Sequence, residues 1–276
     1  MMLLKAVLYG ILEGVTEWLP ISSTGHLILL GQVLTLPISP FATELFQVVI
    51  QLGAMLAVLV LFWPKLIPFG GQSAAKRRKS VCRLWGSVLL AALPSAAVGL
   101  LLDDWLTSHL FRPPVVAGAL VLYGVLFIGL EKWRKQHPFA GFLLENAEDV
   151  PPRTAFLIGC FQVLALVPGT SRSGATVLGA MLLGLSRPAA AEFSFFLGLP
   201  TMLGAGALKC VKLCRSGTWF TGEESLVLLV GTLTAFLTSL AVIRFLMEFV
   251  RRHSFAGFGV YRIVLGAVVA ATILLG

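Results

Sequence analysis

Charge is what this sequence has least of. Only 12% of its 276 residues are Asp, Glu, Lys or Arg, against about 25% in a soluble domain. That scarcity excludes a water-facing globule, because too little polar surface remains to cover one. Cysteine is also sparse, and Cys82, Cys160, Cys210 and Cys214 show neither a CxxC pair nor metal-ligand spacing. Cys210 and Cys214 share a helix face beside apolar residues and read as small hydrophobes. No cleavable leader is expected either: Glu13 and Glu17 interrupt the apolar run from Met1 to Leu19, and no small-residue cleavage site follows. The expectation is therefore a membrane-inserted chain and not a secreted one.

What is present is apolar sequence in long runs. Hydrophobic residues make up 57% of the chain, and its mean hydropathy is +0.91. Runs at about 43–63, 84–103, 114–131, 190–211, 224–247 and 256–276 are each long enough to cross ~30 Å of hydrocarbon. Between them lie the basic residues that give a net charge of +8, most densely Lys76-Arg77-Arg78-Lys79 with Lys65 and Arg83. Such a cluster can mark nucleic-acid binding. Between apolar spans it fits a cytoplasmic loop under the positive-inside rule, and no nucleic acid is expected.

Two further regions, about 2–34 and 154–185, read as re-entrant hairpins. Each consists of two short apolar arms joined by a polar turn, Pro20-Ile21-Ser22-Ser23-Thr24-Gly25 in one and Pro168-Gly169-Thr170-Ser171-Arg172-Ser173-Gly174 in the other. Proline ends the first arm and Ser/Thr residues are N-cap types for the second. Backbone broken in this way is tolerated at membrane depth only where protein buries it or water reaches it. The similar turns, each followed at a similar distance by a glutamate (Glu44, Glu192), indicate a weak internal repeat.

The fold expected is an all-α polytopic membrane protein of two inverted-topology repeats, each a re-entrant hairpin plus three transmembrane helices. Residues 1–135 form the first repeat, 136–153 a loop and 154–276 the second. With the loop at 64–83 cytoplasmic, Lys132, Arg134, Lys135, Arg251 and Arg252 also fall inside, whereas Lys209, Lys212 and Arg215 fall outside. Both termini then lie outside; a topology with eight or more full spans is the alternative.

Chemistry concentrates in the two hairpins. Glu13 and Glu17 are four residues apart, hence on one helix face. Charges at membrane depth cost about 2.5–3.5 kcal/mol each and normally face a cavity with a partner. Two such acids repel unless a cation lies between them or one stays protonated. Ser22, Ser23 and Thr24 follow, with His26, the only histidine inside an apolar region and a residue type able to deprotonate a serine. Arg172 in the second turn needs an anion, and its fork suits phosphate. An ion pair with Glu13 or Glu17 is its other reading. Ser171, Ser173 and Thr176 add hydroxyls, and helix starts welcome an anion. These parts suit phosphoryl transfer, and their depth in the bilayer suggests a lipid substrate. A transporter or flippase built on broken inverted repeats is the alternative.

The segment Glu13-Gly-Val-Thr-Glu17-Trp-Leu-Pro20-Ile-Ser-Ser-Thr-Gly-His26 resembles the signature of the bacterial undecaprenyl-diphosphatase, or bacitracin-resistance, family. So do Pro168-Gly-Thr-Ser-Arg-Ser-Gly-Ala-Thr176, the Val-Val-Ile-Gln-Leu-Gly run at 48–53 and Glu192-Phe-Ser-Phe195. The resemblance implies hydrolysis of undecaprenyl diphosphate to the monophosphate carrier of cell-wall precursors, dependence on a divalent cation (Mg2+ or Ca2+), and a bacterial inner-membrane site open to the periplasm. A homodimer is retained as an option. On these motifs Glu13 and Glu17 match the acidic pair and are taken as metal ligands. Ser23 matches the nucleophile, His26 its base and Arg172 the phosphate-binding arginine. Ser22, Thr24, Ser171, Ser173 and Thr176 are taken as phosphate-binding. Gln47 stands where an acid is common in the family and is assigned no role.

Overall fold

The computed structural model describes residues 1–67, 74–137, 144–214 and 220–275. Parts of the basic loop and of the 136–153 loop lie outside these residues, as do Arg215 and the side chains of Lys76, Lys212 and Cys214.

The described residues form eleven α-helices. The first apolar region folds as α1 (Met2–Thr16) and α2 (Ser23–Val33). Then come α3 (Pro40–Leu61), the short α4 (Trp63–Leu66), α5 (Ala74–Leu110) and α6 (Pro113–Gln136). The second broken region folds as α7 (Pro152–Val163) and α8 (Arg172–Leu182). It is followed by α9 (Arg187–Cys214), α10 (Gly222–Arg252) and α11 (Ala256–Leu275). Six segments are long and apolar enough to cross a membrane: Pro40–Leu61, Arg77–Leu102, Pro113–Gln136, Arg187–Val211, Gly222–Arg252 and Ala256–Leu274. They coincide with the six runs read from the sequence. The hairpin arms have 15, 11, 12 and 11 residues, and at about 1.5 Å per residue none reaches across the hydrocarbon.

The turns break where the side chains require it. In each hairpin the second arm starts at a serine N-cap, Ser22 or Ser171, whose hydroxyl accepts from the N–H of Gly25 or Gly174. Both caps have positive φ, 76° and 70°, and no other non-glycine residue described does. L-residues rarely hold that conformation, and it persists where the surroundings over-determine it. Gly169 also has positive φ, and a Cβ there would meet the Val116 carbonyl oxygen at 2.6 Å.

Packing crosses between the two halves of the chain. Arm α1 lies on α10, and arm α7 on α5. Helix α6 lies along α11, and α3 packs on both α9 and α10. The hairpins are thus each seated on a span from the other half, which brings the two turns together. Polar ties group the helix ends. Ser39 donates through N–H and Oγ to Glu224 (3.0 and 2.6 Å), at the starts of α3 and α10. At the opposite end Lys65 pairs with Glu192 at 2.6 Å. There too Glu131 accepts from Arg187 and from the Phe255 N–H. Glu192 is buried whereas Glu44 is exposed, so the two glutamates at similar distances from the two polar turns occupy unlike surroundings.

Candidate active site

The two turns meet at Glu17. This residue follows the last turn of α1 and is 6% exposed. Its Oε1 accepts from Arg172 Nη2 at 3.1 Å, and its Oε2 accepts from Ser23 Oγ at 3.2 Å. One carboxylate therefore joins the acid of the first arm, the hydroxyl at the start of α2 and the guanidinium at the start of α8. Arg172 Nη1 donates to the Ser194 carbonyl at 2.6 Å, which fixes the plane of the fork. The ion-pair reading of Arg172 is realised, with Glu17 as its partner.

Glu13 lies one turn earlier on the same face. It is fully buried, and among the described residues neither carboxylate oxygen has a hydrogen-bond partner. A buried acid with nothing to satisfy it needs a proton or a cation. The oxygen donors of Glu13 and Glu17 suit a hard divalent ion, which takes its other ligands from water and phosphate. Among the described residues no group of three or more His, Cys, Asp or Glu forms a larger ligand set.

His26 is placed differently from the expectation. Its Nδ1 lies 2.7 Å from the Ser22 carbonyl, and its Nε2 lies 2.7 Å from the Tyr261 hydroxyl. A carbonyl can only accept, so Nδ1 carries a proton, and in the neutral ring Nε2 then accepts from the Tyr261 hydroxyl. The ring stacks on Tyr261 with centroids 5.6 Å apart. The expected Ser23–His26 hydrogen bond is not formed. Helix α2 begins at Ser23, so His26 sits one turn on and bonds back to the turn, and Glu17 takes its place beside Ser23.

The remaining hydroxyls divide by environment. Ser22 and Ser171 are occupied as caps. Ser173 Oγ donates within the site to the backbone carbonyls of Glu17 and Leu19 (3.2 and 3.3 Å) and approaches Ser171 Oγ at 3.1 Å. Thr176 is fully buried and bonded to the Arg172 carbonyl and to Ser194 Oγ. It supports Arg172 from beneath and is not available to a ligand, which corrects its assignment as a phosphate contact. Thr24 is half-buried at the start of α2, beside Ser23.

Sequence reasoning passed over Ser194, Gly198, Tyr261 and Arg262. Gly198 carried no local signal. A Cβ there would sit 2.6 Å from Arg172 Nη1 and 2.8 Å from Cζ. Gly198→Ala should therefore displace the guanidinium and lower turnover by about 100-fold, the scale of a 1 Å misplacement, with little loss of thermal stability. Unchanged turnover in that variant would mean the fork has room to move.

A family model described as "Bacitracin resistance protein BacA" matches residues 6–268. The chain belongs to the BacA family. Its relatives include the undecaprenyl-diphosphatase of Enterococcus faecalis, 51% identical over 97% of this chain and 95% of that protein. That of Latilactobacillus sakei subsp. sakei is 48% identical over 99% and 98%. Undecaprenyl-diphosphatase 1 of Clostridioides difficile is 50% identical over 97% and 94%. The BacA match covers both turns, so the Glu17–Ser23–Arg172 junction lies wholly inside the matched region.

Proposed function

We propose that this chain is an integral membrane phosphatase that hydrolyses undecaprenyl diphosphate to undecaprenyl phosphate and inorganic phosphate. It thereby recycles the lipid carrier of cell-wall synthesis and confers resistance to bacitracin. The observation that carries the reading is the Glu17 carboxylate, held between the Ser23 hydroxyl and the Arg172 guanidinium at the meeting of two broken helices. Membership of the BacA family and relatives named undecaprenyl-diphosphatase support it.

In this reading Ser23 Oγ attacks the terminal phosphorus and gives its proton to Glu17 Oε2, its hydrogen-bond acceptor. The P–O bond to the lipid phosphate breaks, and undecaprenyl phosphate departs. Water then hydrolyses the phosphoserine, releasing inorganic phosphate and restoring the hydroxyl. Arg172 holds the equatorial oxygens of the transferred group, which requires it to turn from Glu17 towards phosphate when substrate arrives. The half-buried Thr24 hydroxyl and the free amides at the start of α2 contribute donors to the same oxygens. Ser22, Ser171 and Ser173 shape the two turns.

Glu13 and Glu17 would hold a divalent cation, Mg2+ or Ca2+. When bound, it supplies neutralisation of the diphosphate charge, which two carboxylates alone would oppose. Phosphate release from a diphosphate lipid by purified protein, with and without chelator, tests both statements. Turnover should be lost on chelation and return with added cation, while the helical circular dichroism stays constant. Full turnover in chelator would remove the cation, and no release under any condition would remove the phosphatase. Lipid movement without release would favour the flippase instead.

The orientation proposed is that of the basic ends: Lys65, Arg77, Arg78, Lys132 and Arg252 towards the cytoplasm, in a bacterial inner membrane with the site facing the periplasm. The two halves are proposed as inverted repeats, supported by the reciprocal seating of α1 on α10 and α7 on α5. A single cysteine at position 78, in a chain lacking the four native ones, should resist a reagent confined to the outside. Labelling from outside would reverse the topology.

A further inference from the structure

Arg262, in the first two turns of α11, is fully buried inside an apolar span. Among the described residues it has no carboxylate partner. Its donors go to three backbone carbonyls: Nη1 to Pro20 at 3.1 Å, and Nη2 to Gly169 at 2.8 Å and Thr170 at 2.9 Å. Its Nε has no acceptor among the described residues, and its Cζ stands 5.5 Å from the centroid of the Tyr123 ring.

A guanidinium buried without an anion is costly, and an apolar side chain of similar volume would fill the space at least as well. Stability is therefore a poor reason for its presence. Its three acceptors point elsewhere. Pro20 is in the turn that delivers Ser23, and Gly169 and Thr170 are in the turn that delivers Arg172. The peptide unit is planar and trans, so a carbonyl drawn to Arg262 sends the following N–H the opposite way. For Thr170 that following group is the Ser171 N–H, which has no acceptor among the described residues. Ser171 then takes positive φ, and α8 starts at Arg172. A Cβ on Gly174 would lie 3.2 Å from Arg262 Nη1, so the guanidinium is packed directly against the first turn of α8.

We propose that Arg262 is a positioning residue that clamps both hairpin turns from their buried side, setting Ser23 and Arg172 to face one phosphate without itself touching it. This rests on the reading of the site given above. The residue acts through backbone geometry, so its loss should appear in kcat more than in KM.

The test compares purified wild-type protein with Arg262→Met and Arg262→Lys, reading kcat and KM for a diphosphate lipid together with the thermal midpoint. Arg262→Met should lose about 100-fold in kcat, the scale of a 1 Å misplacement, with KM changed much less and a midpoint at or above wild type. Arg262→Lys keeps a donor for one or two carbonyls and should recover about tenfold of that loss, equal to one charged hydrogen bond. Arg262→Met with kcat within a few-fold of wild type would overturn the proposal. So would a loss of kcat in both variants that simply follows a lowered midpoint. If Arg262→Met does not fold, Arg262→Lys decides alone: reduced kcat at an unchanged midpoint supports the clamp, and wild-type kcat overturns it. Wild-type protein that releases no phosphate would sink the phosphatase reading, whereas active wild type with an active Arg262→Met sinks only this one.

Discussion

Ser23→Ala should lower phosphate release by on the order of 1,000-fold or more, because in the proposed mechanism it removes the atom that bonds to phosphorus. Ser22→Ala and Thr24→Ala should be milder. Ser22 supplies a cap to the Gly25 N–H, worth about 1 kcal/mol of local stability, and in the proposed mechanism Thr24 supplies only one hydrogen bond. A quenched reaction with labelled substrate gives the decisive observation. Acid-stable phosphoserine at position 23 supports the assignment. An acid-labile, base-stable phosphoenzyme that disappears in His26→Ala would move the covalent step to the histidine. Absence of any phosphoenzyme, with Ser23→Ala still inactive, would make water the attacking group and Ser23 a donor.

Glu17→Gln should cost ~100- to 10,000-fold, the range for losing proton transfer from a positioned base. It also removes the charge that Arg172 faces at 3.1 Å. His26→Ala should be less damaging, because both ring nitrogens already serve Ser22 and Tyr261 and neither serves Ser23. The ordering separates two chemistries. Equal losses in the two variants, with the His26→Ala loss partly reversed at high pH, would restore histidine as the base and demand a rearrangement of α2 on substrate binding.

The fold was legible to a large degree, for a physical reason. Membrane spans are set by length and hydropathy, so the six runs map onto helices with ends shifted by a few residues. Each polar turn announces its break through proline followed by a serine cap. The gathering of Glu17, Ser23 and Arg172 followed from their cost at membrane depth. The pairing within that group did not, since whether Ser23 bonds to Glu17 or His26 depends on where α2 begins. The run Ser22-Ser23-Thr24 offers several cap types without saying which one caps, and the positive φ of Ser22 makes it the cap and starts α2 at Ser23. Arg262 was missed although it obeys the rule that singled out Glu13: a charge inside an apolar run requires a partner. Its run was read as a simple span. Ser194 and Gly198 act through a carbonyl and an absent side chain, features that residue identity alone does not display.

The reciprocal seating of the hairpins has a consequence for biogenesis. A chain entering the bilayer from its N-terminus inserts α1 and α2 long before α10 and α11 exist, so Glu13 and Glu17 must wait without their lasting surroundings. Helix α10, the seat of α1, and α11, the bearer of Arg262, leave the ribosome after every other part of the pocket. A nascent chain arrested before Phe255 therefore lacks Arg262 and should not hydrolyse lipid, which a phosphate-release assay on the truncated chain checks. By the same dependence, a chain severed between α6 and α7 should regain activity when the two pieces are made together, because each fragment carries the seat of the other's hairpin.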